Sequence, residues 1–171
     1  MVSLSLPEAA KRFLQRKRKF GVIAHTFAVY PERRQTLIYE ALGLCRRSIC
    51  VATPFISADI LSVLDYASAR SVVRVLIGDS QPDEIWNIVR LRSRTGFEVR
   101  VCSGLHLKLS IFDSLFLVNG SANLTSISIA NPGEEFTVIV DEGESEFALE
   151  RFFALWNEHG PSILNSNAAT P

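Results

Sequence analysis

The chain has 171 residues, 47% hydrophobic and 21% charged, with 18 basic side chains balanced by 18 acidic ones. This length and composition suit one soluble globular domain with a substantial core and exclude a disordered chain, while the neutral total argues against indiscriminate polyanion binding. No segment approaches the roughly eighteen apolar residues of a membrane-spanning helix, and the amino terminus lacks the layout of a secretory signal, which predicts a cytoplasmic protein without stable membrane insertion.

In chain order, Pro7 to Lys19 reads as a helix opened by proline in its first turn, so residues 1–19 form a basic N-terminal helix or arm. Phe20 to Val29 is apolar and partly β-branched, a strand ending at Tyr30-Pro31. Glu32 to Arg47 has Leu37, Ile38, Ala41, Leu42 and Leu44 at helical spacing, and Ser48 to Ile56 follows as a fully buried strand. Ser57 to Ala69 is a helix capped by Ser57 or Asp59, and Ser71 to Ile77 a strand broken by Gly78-Asp79. Pro82 to Arg94 is a helix stopped by Gly96, and Phe97 to Cys102 a further strand. After a hairpin, Leu124 to Ala130 is ambiguous by propensity, being rich in Ser, Thr and Ile. Glu135 to Val140 returns as a strand, Ser145 to His159 is a final helix through Phe147, Phe152, Leu155 and Trp156, and residues 161–171 read as tail or linker. The βα alternation followed by a hairpin predicts an α/β sandwich over residues 20–160, with a central mixed sheet and helices on both faces.

The charges are unevenly placed. Basic residues gather between Lys11 and Lys19, at Arg33-Arg34 and Arg46-Arg47, and at Arg90, Arg92 and Arg94, whereas Glu134, Glu135 and the acids from Asp141 to Glu150 come late. A basic face beside a pocket would steer a polyanion; the alternative is that both groups are solvated helix faces. Cys45, Cys50 and Cys102 follow no metal-ligand spacing and read as reduced, mostly buried thiols, with no zinc site.

The chemistry concentrates between Leu105 and Asn123. His106 and Lys108 are two apart in an alternating run, so on a strand they share one face while Leu107, Leu109 and Ile111 point into a core. Asp113-Ser114 reads as a tight turn, and the returning strand delivers Gly120, Ser121 and Asn123 to the neighbourhood of the histidine. The six residues form the pattern His-x-Lys-x4-Asp-x6-Gly-Ser-x-Asn. Taken singly each is an ordinary surface or turn residue; together at this spacing they point to phosphate chemistry.

That pattern resembles the HKD signature of the phospholipase D superfamily, met without a departure, and the resemblance to small single-motif members covers residues 20–160. It favours a helix over Leu124 to Ala130. It also implies phosphodiester cleavage through a covalent phosphohistidine, with no cofactor and no metal. His106 is then the nucleophile, and Lys108 and Asn123 hold the non-bridging oxygens. Ser121 donates its hydroxyl or N–H, and Gly120 allows the close turn. The carboxylate that orients the histidine lies about eleven residues beyond the asparagine, at Glu134, with Glu135 adjacent on the other face. Asp113 belongs to the motif as a turn residue and supporting acid.

In-line displacement requires one group to attack phosphorus and another to protonate the leaving oxygen from the opposite side, and one histidine cannot do both. His25 reads as a core or rim residue and His159 as a cation at a helix end. The second histidine is therefore expected from another copy of the chain, in a two-fold homodimer. Three functions follow: an endonuclease acting on DNA or RNA, a phospholipase or phosphatidyl transferase, and a non-catalytic nucleic-acid-binding or assembly subunit. An additional recognition domain or partner subunit is compatible with the first.

Overall fold

The computed structural model describes residues 25–92 and 96–159. Within them the elements run β1 (His25–Ala28), α1 (Pro31–Leu44), β2 (Ser48–Thr53), α2 (Ala58–Ala67), β3 (Val72–Ile77), α3 (Asp83–Arg92), β4 (Phe97–Val101), β5 (Leu109–Phe112), β6 (Phe116–Gly120), α4 (Ser126–Ala130), β7 (Phe136–Val140) and α5 (Glu142–Glu158). The strands form one mixed sheet, as the alternation predicts, and their order is β1-β7-β6-β5-β2-β3-β4. β2, β3 and β4 are parallel, and from β5 outward every pairing is antiparallel. The proposed arm at 1–19, the first part of the first predicted strand and the tail at 161–171 lie outside the described residues.

Period-two alternation separates two cores. On one face Ile49, Val51, Val73, Val75 and Ile77 pack with Leu37, Ile38, Leu42, Ile60, Leu61, Leu64, Ile85, Val89 and Ile129 from α1 to α4. On the other, Cys50, Ala52, Leu76, Leu109, Ile111 and Leu117 pack under Phe152 and Trp156 of α5. Both faces are covered, so β2 is buried along almost its whole length and its sequence shows no polar alternation. Burying each such aliphatic side chain stabilises the fold by roughly 1.5–3 kcal/mol.

Arginines close helix ends. Arg70 donates to the Leu42 carbonyl near the end of α1, and Arg100 donates to the Trp156 and His159 carbonyls while lying over the Trp156 ring at 4.3 Å. α4 does form: the Thr125 hydroxyl accepts the Ser128 N–H, a cap that outweighs its poor interior propensity. α5 begins three residues before its predicted start, because Asp141 caps it by accepting the Glu144 N–H and so carries Gly143 in the first turn. β2 ends at Thr53, short of the expected Ile56, since Pro54 supplies no N–H to the ladder. Among the described residues no helix is long and apolar enough to cross a membrane.

Candidate active site

β5 runs antiparallel to β2, pairing Leu109 with Ala52, and β6 returns with Asn119 opposite Leu109 and Gly120 opposite Phe136. One end of the sheet therefore collects the end of β2, the residues leading into β5, the end of β6 and the start of β7. This is also the carboxyl end of the parallel strands, where α/β sheets place their ligands.

The sequence expectation put His106 and Lys108 within a strand. The ladder begins only at Leu109, and both residues occupy the irregular run leading into it. The facing expectation survives this change. Leu105, Leu109 and Ile111 are buried in the second core with Leu107 packed against it, while His106 is exposed and the Lys108 ammonium donates to the His106 carbonyl at 3.0 Å. Lys108 and Asn123 line one open pocket together with Thr53, Ser110, Asn119, Gly120 and Glu135, floored by Ile38, Val118, Leu124 and Phe136.

The turn carrying Ser121 and Asn123 is pinned on both sides. Ser121 and Ala122 donate their N–H groups to the Glu135 carbonyl, at 3.2 and 3.5 Å, and the Leu124 N–H donates to the Thr53 hydroxyl at 3.1 Å. Gly120 is required because a Cβ there would stand 2.1 Å from the Glu135 carbonyl oxygen, at a φ of +155°. The Ser121 hydroxyl donates to the Glu134 carboxylate and accepts the Glu135 N–H at 2.8 Å. The Asn123 side-chain oxygen is buried without a hydrogen-bond partner in the structure.

Both acids considered from sequence reach this end of the sheet by different routes. Glu134 is tied to Ser121, while Glu135 forms part of the pocket wall beside Lys108. Asp113 goes elsewhere. It follows β5 at the opposite end, roughly 16 Å along the chain from Lys108 at the usual strand rise. There its carboxylate accepts the N–H groups of Arg46, Arg47 and Ser48 at 2.9 to 3.0 Å, latching the hairpin to the start of β2. Asp113 and Ser114 both have positive φ, 52° and 55°, which makes the tight turn expected there. His159 at the end of α5 holds the Leu155 carbonyl through Nδ1 at 2.8 Å.

Two of the basic pairs read from the sequence do not face the pocket as pairs, and the run from Lys11 to Lys19 lies outside the described residues. Arg46 and Arg47 sit at the start of β2, a strand's length away, and Arg34 is buried with its guanidinium on main-chain carbonyls. Sequence reasoning grouped Arg34 with Arg33 as surface charge. Its spacing to Leu37, Ile38 and Ala41 was the available sign that it lies on the buried stripe. Among the described residues no group of three His, Cys, Asp or Glu side chains could hold a metal ion.

The sequence matches the family described as "Cardiolipin synthase, PLD-like domain" over residues 38–156. No curated protein sequence matches the chain significantly. Among solved structures, Nuc from Salmonella typhimurium, a phospholipase D family member, is similar with a TM-score of 0.68 at 21% identity, covering 81% of this chain and 97% of that one. NucT from Helicobacter pylori gives 0.66 at 18% identity, covering 81% and 98%. TrmBL2, an archaeal chromatin protein described as showing a novel mode of DNA binding, gives 0.57 at 16% identity, covering 90% and 62%. At these identities the likeness is one of fold.

Proposed function

Because the chain belongs to the phospholipase D-like family of phosphodiester-cleaving proteins, we propose that it is a metal-independent endonuclease that cuts DNA or RNA through a phosphohistidine at His106. The observation that carries this reading is the arrival of Lys108 and Asn123 in one open pocket, with His106 two residues before Lys108 and exposed. Neutral imidazole attacks phosphorus and displaces one ester oxygen, which leaves with a proton from an acid on the far side. Water then attacks the phosphohistidine and returns the imidazole. The Lys108 ammonium balances the charge that builds on the non-bridging oxygens, and the Asn123 carboxamide donates an N–H to them. The far-side acid is the His106 of a second copy, so the working unit is a two-fold homodimer. The support for that arrangement is that His25 and His159 stand outside any such motif, and His159 is held by the Leu155 carbonyl at the end of α5.

Cleavage of a lipid phosphodiester is the second reading, favoured by the family's description as cardiolipin synthase. The test is to offer wild type and His106→Asn labelled single- and double-stranded DNA, RNA, and phosphatidylcholine or cardiolipin vesicles, all in EDTA. Nucleic-acid cleavage by wild type alone, with acid-labile, base-stable label trapped on the protein, is expected. Cleavage of lipid only would establish the second reading, and loss of all activity in EDTA would overturn the mechanism.

A further inference from the structure

Arg34 lies in the first turns of α1 with only 5% of its surface exposed. Its hydrogen bonds go to main-chain carbonyls. Nε donates to Val29 at 2.9 Å, Nη1 to Ile129 at 3.4 Å and Asn131 at 2.8 Å, and Nη2 to Glu134 at 2.7 Å. The guanidinium also lies 5.7 Å from the centre of the Phe136 ring. It thus spans the end of α4 and the Asn131-Pro132-Gly133 turn, ending on the residue whose carboxylate takes the Ser121 hydroxyl.

Glu134 is therefore held at each of its polar groups. Its N–H donates to the Asn131 carbonyl at 3.2 Å, its carbonyl accepts from Arg34, and its carboxylate accepts from Ser121. Asn131 accepts from both Glu134 and Arg34, so the guanidinium closes the turn on itself as well as fastening it to α1. The next residue, Glu135, is bound to Ser121 through both its N–H and its carbonyl. Arg34 itself does not line the pocket.

We infer that Arg34 is a positioning residue of the phosphodiester-cleaving site, a clamp that fixes the turn from Asn131 to Glu134 so that the Glu134 carboxylate and Ser121 stay engaged beside the pocket. This rests on the reading of Glu134 as a site residue. A guanidinium is suited to the task because its planar fork addresses several carbonyls at once, while a lysine ammonium at the same place reaches fewer. A misplacement of about 1 Å in a supporting group can cost on the order of 100-fold in rate without contact to substrate.

The experiment compares full-length wild type, Arg34→Met, Arg34→Lys, Glu134→Gln and the double variant Arg34→Met/Glu134→Gln on bis(4-nitrophenyl) phosphate. Rates are normalised to folded protein from thermal melts, with amide hydrogen exchange followed well below each melting point. Arg34→Met should lower kcat by about 10- to 100-fold with KM within about twofold, and Arg34→Lys should recover part of the loss. In the Glu134→Gln background Arg34→Met should cost less than about twofold more, because both changes act through one carboxylate. Exchange at Ser121, Ala122, Glu134 and Glu135 should accelerate while the β2 and β3 amides stay protected.

A lowered melting point with unchanged kcat per folded molecule would overturn the proposal, as would losses that simply multiply in the double variant. If Arg34→Met does not fold, Arg34→Lys is judged by the same criteria. Full activity in Glu134→Gln, or none in wild type, would remove the site reading instead. Exchange then decides the clamp alone: acceleration confined to those four amides keeps it, and unchanged exchange ends it.

Discussion

Ser121 and Glu135 are joined twice: the Ser121 N–H donates to the Glu135 carbonyl at 3.2 Å, and the Glu135 N–H donates back to the Ser121 hydroxyl at 2.8 Å. The same hydroxyl donates to Glu134, so one side chain registers the end of β6 against the start of β7 and sets the direction of a carboxylate. Ser121→Ala should lower kcat about tenfold and stability by about 1 kcal/mol, the usual worth of such bonds, while Ser121→Thr keeps the hydroxyl and most of both. Steady-state kinetics beside urea melts would check this; an unchanged rate would make the serine merely structural.

Glu134 and Glu135 should separate in kinetics. Glu134→Gln keeps shape but removes the charge and weakens the Ser121 contact, and should lower kcat about 10- to 100-fold with little change in KM. Glu135 stands in the pocket wall beside Lys108, where its negative charge opposes an anionic substrate. Glu135→Gln should therefore lower KM a few-fold and leave kcat within about threefold. The reverse pattern would exchange the roles of the two acids.

Asp113 should matter to folding more than to turnover. Its carboxylate accepts three N–H groups at the sheet end away from the pocket, so Asp113→Ala leaves them without that acceptor and should cost about 2–3 kcal/mol. Asp113→Asn, which tolerates the positive φ and retains one oxygen, should cost less. Both should keep kcat per folded molecule within about threefold of wild type, measurable after denaturant titration. A hundredfold loss at full stability would place Asp113 in the chemistry.

The thiols supply a pH signature. Burial pushes Cys45 up to about 12, with Asp113 adding to the rise, and pushes Cys50 up to about 11, also by burial. An unfolded thiol ionises near 8.5, so above that pH the unfolded chain releases protons that the folded chain keeps. The contribution of both groups is then fully present below about pH 8.5 and declines as pH rises toward the folded values. Urea melts should show stability falling between about pH 8.5 and 11, and Cys50→Ala should flatten the slope. In native protein at pH 8 both thiols should resist maleimide, reacting only in denaturant.

Much of the fold was legible because its signals are local. The βα order, the Asp113-Ser114 turn and the two-residue alternation from Leu105 to Ile111 come from period and turn chemistry, and the structure keeps them. The start of α5 differs because its cap is Asp141, four residues before the expected start at Ser145. α4 depended on a threonine cap that propensity sums do not weigh.

By itself the sequence determined the motif from His106 to Asn123 and its resemblance to phospholipase D-like proteins, since chemistry-bearing residues at fixed spacing on one hairpin need no distant partner to be recognised. Tertiary structure alone decided that Asp113 latches the far end of the hairpin, that Glu134 is tied to Ser121 while Glu135 lines the pocket, and that Arg34 is interior. The physical reason is range. Arg34 is buried because carbonyls 95 to 100 residues further along the chain are brought around it, and desolvating a charge is tolerable only where such oxygens replace water.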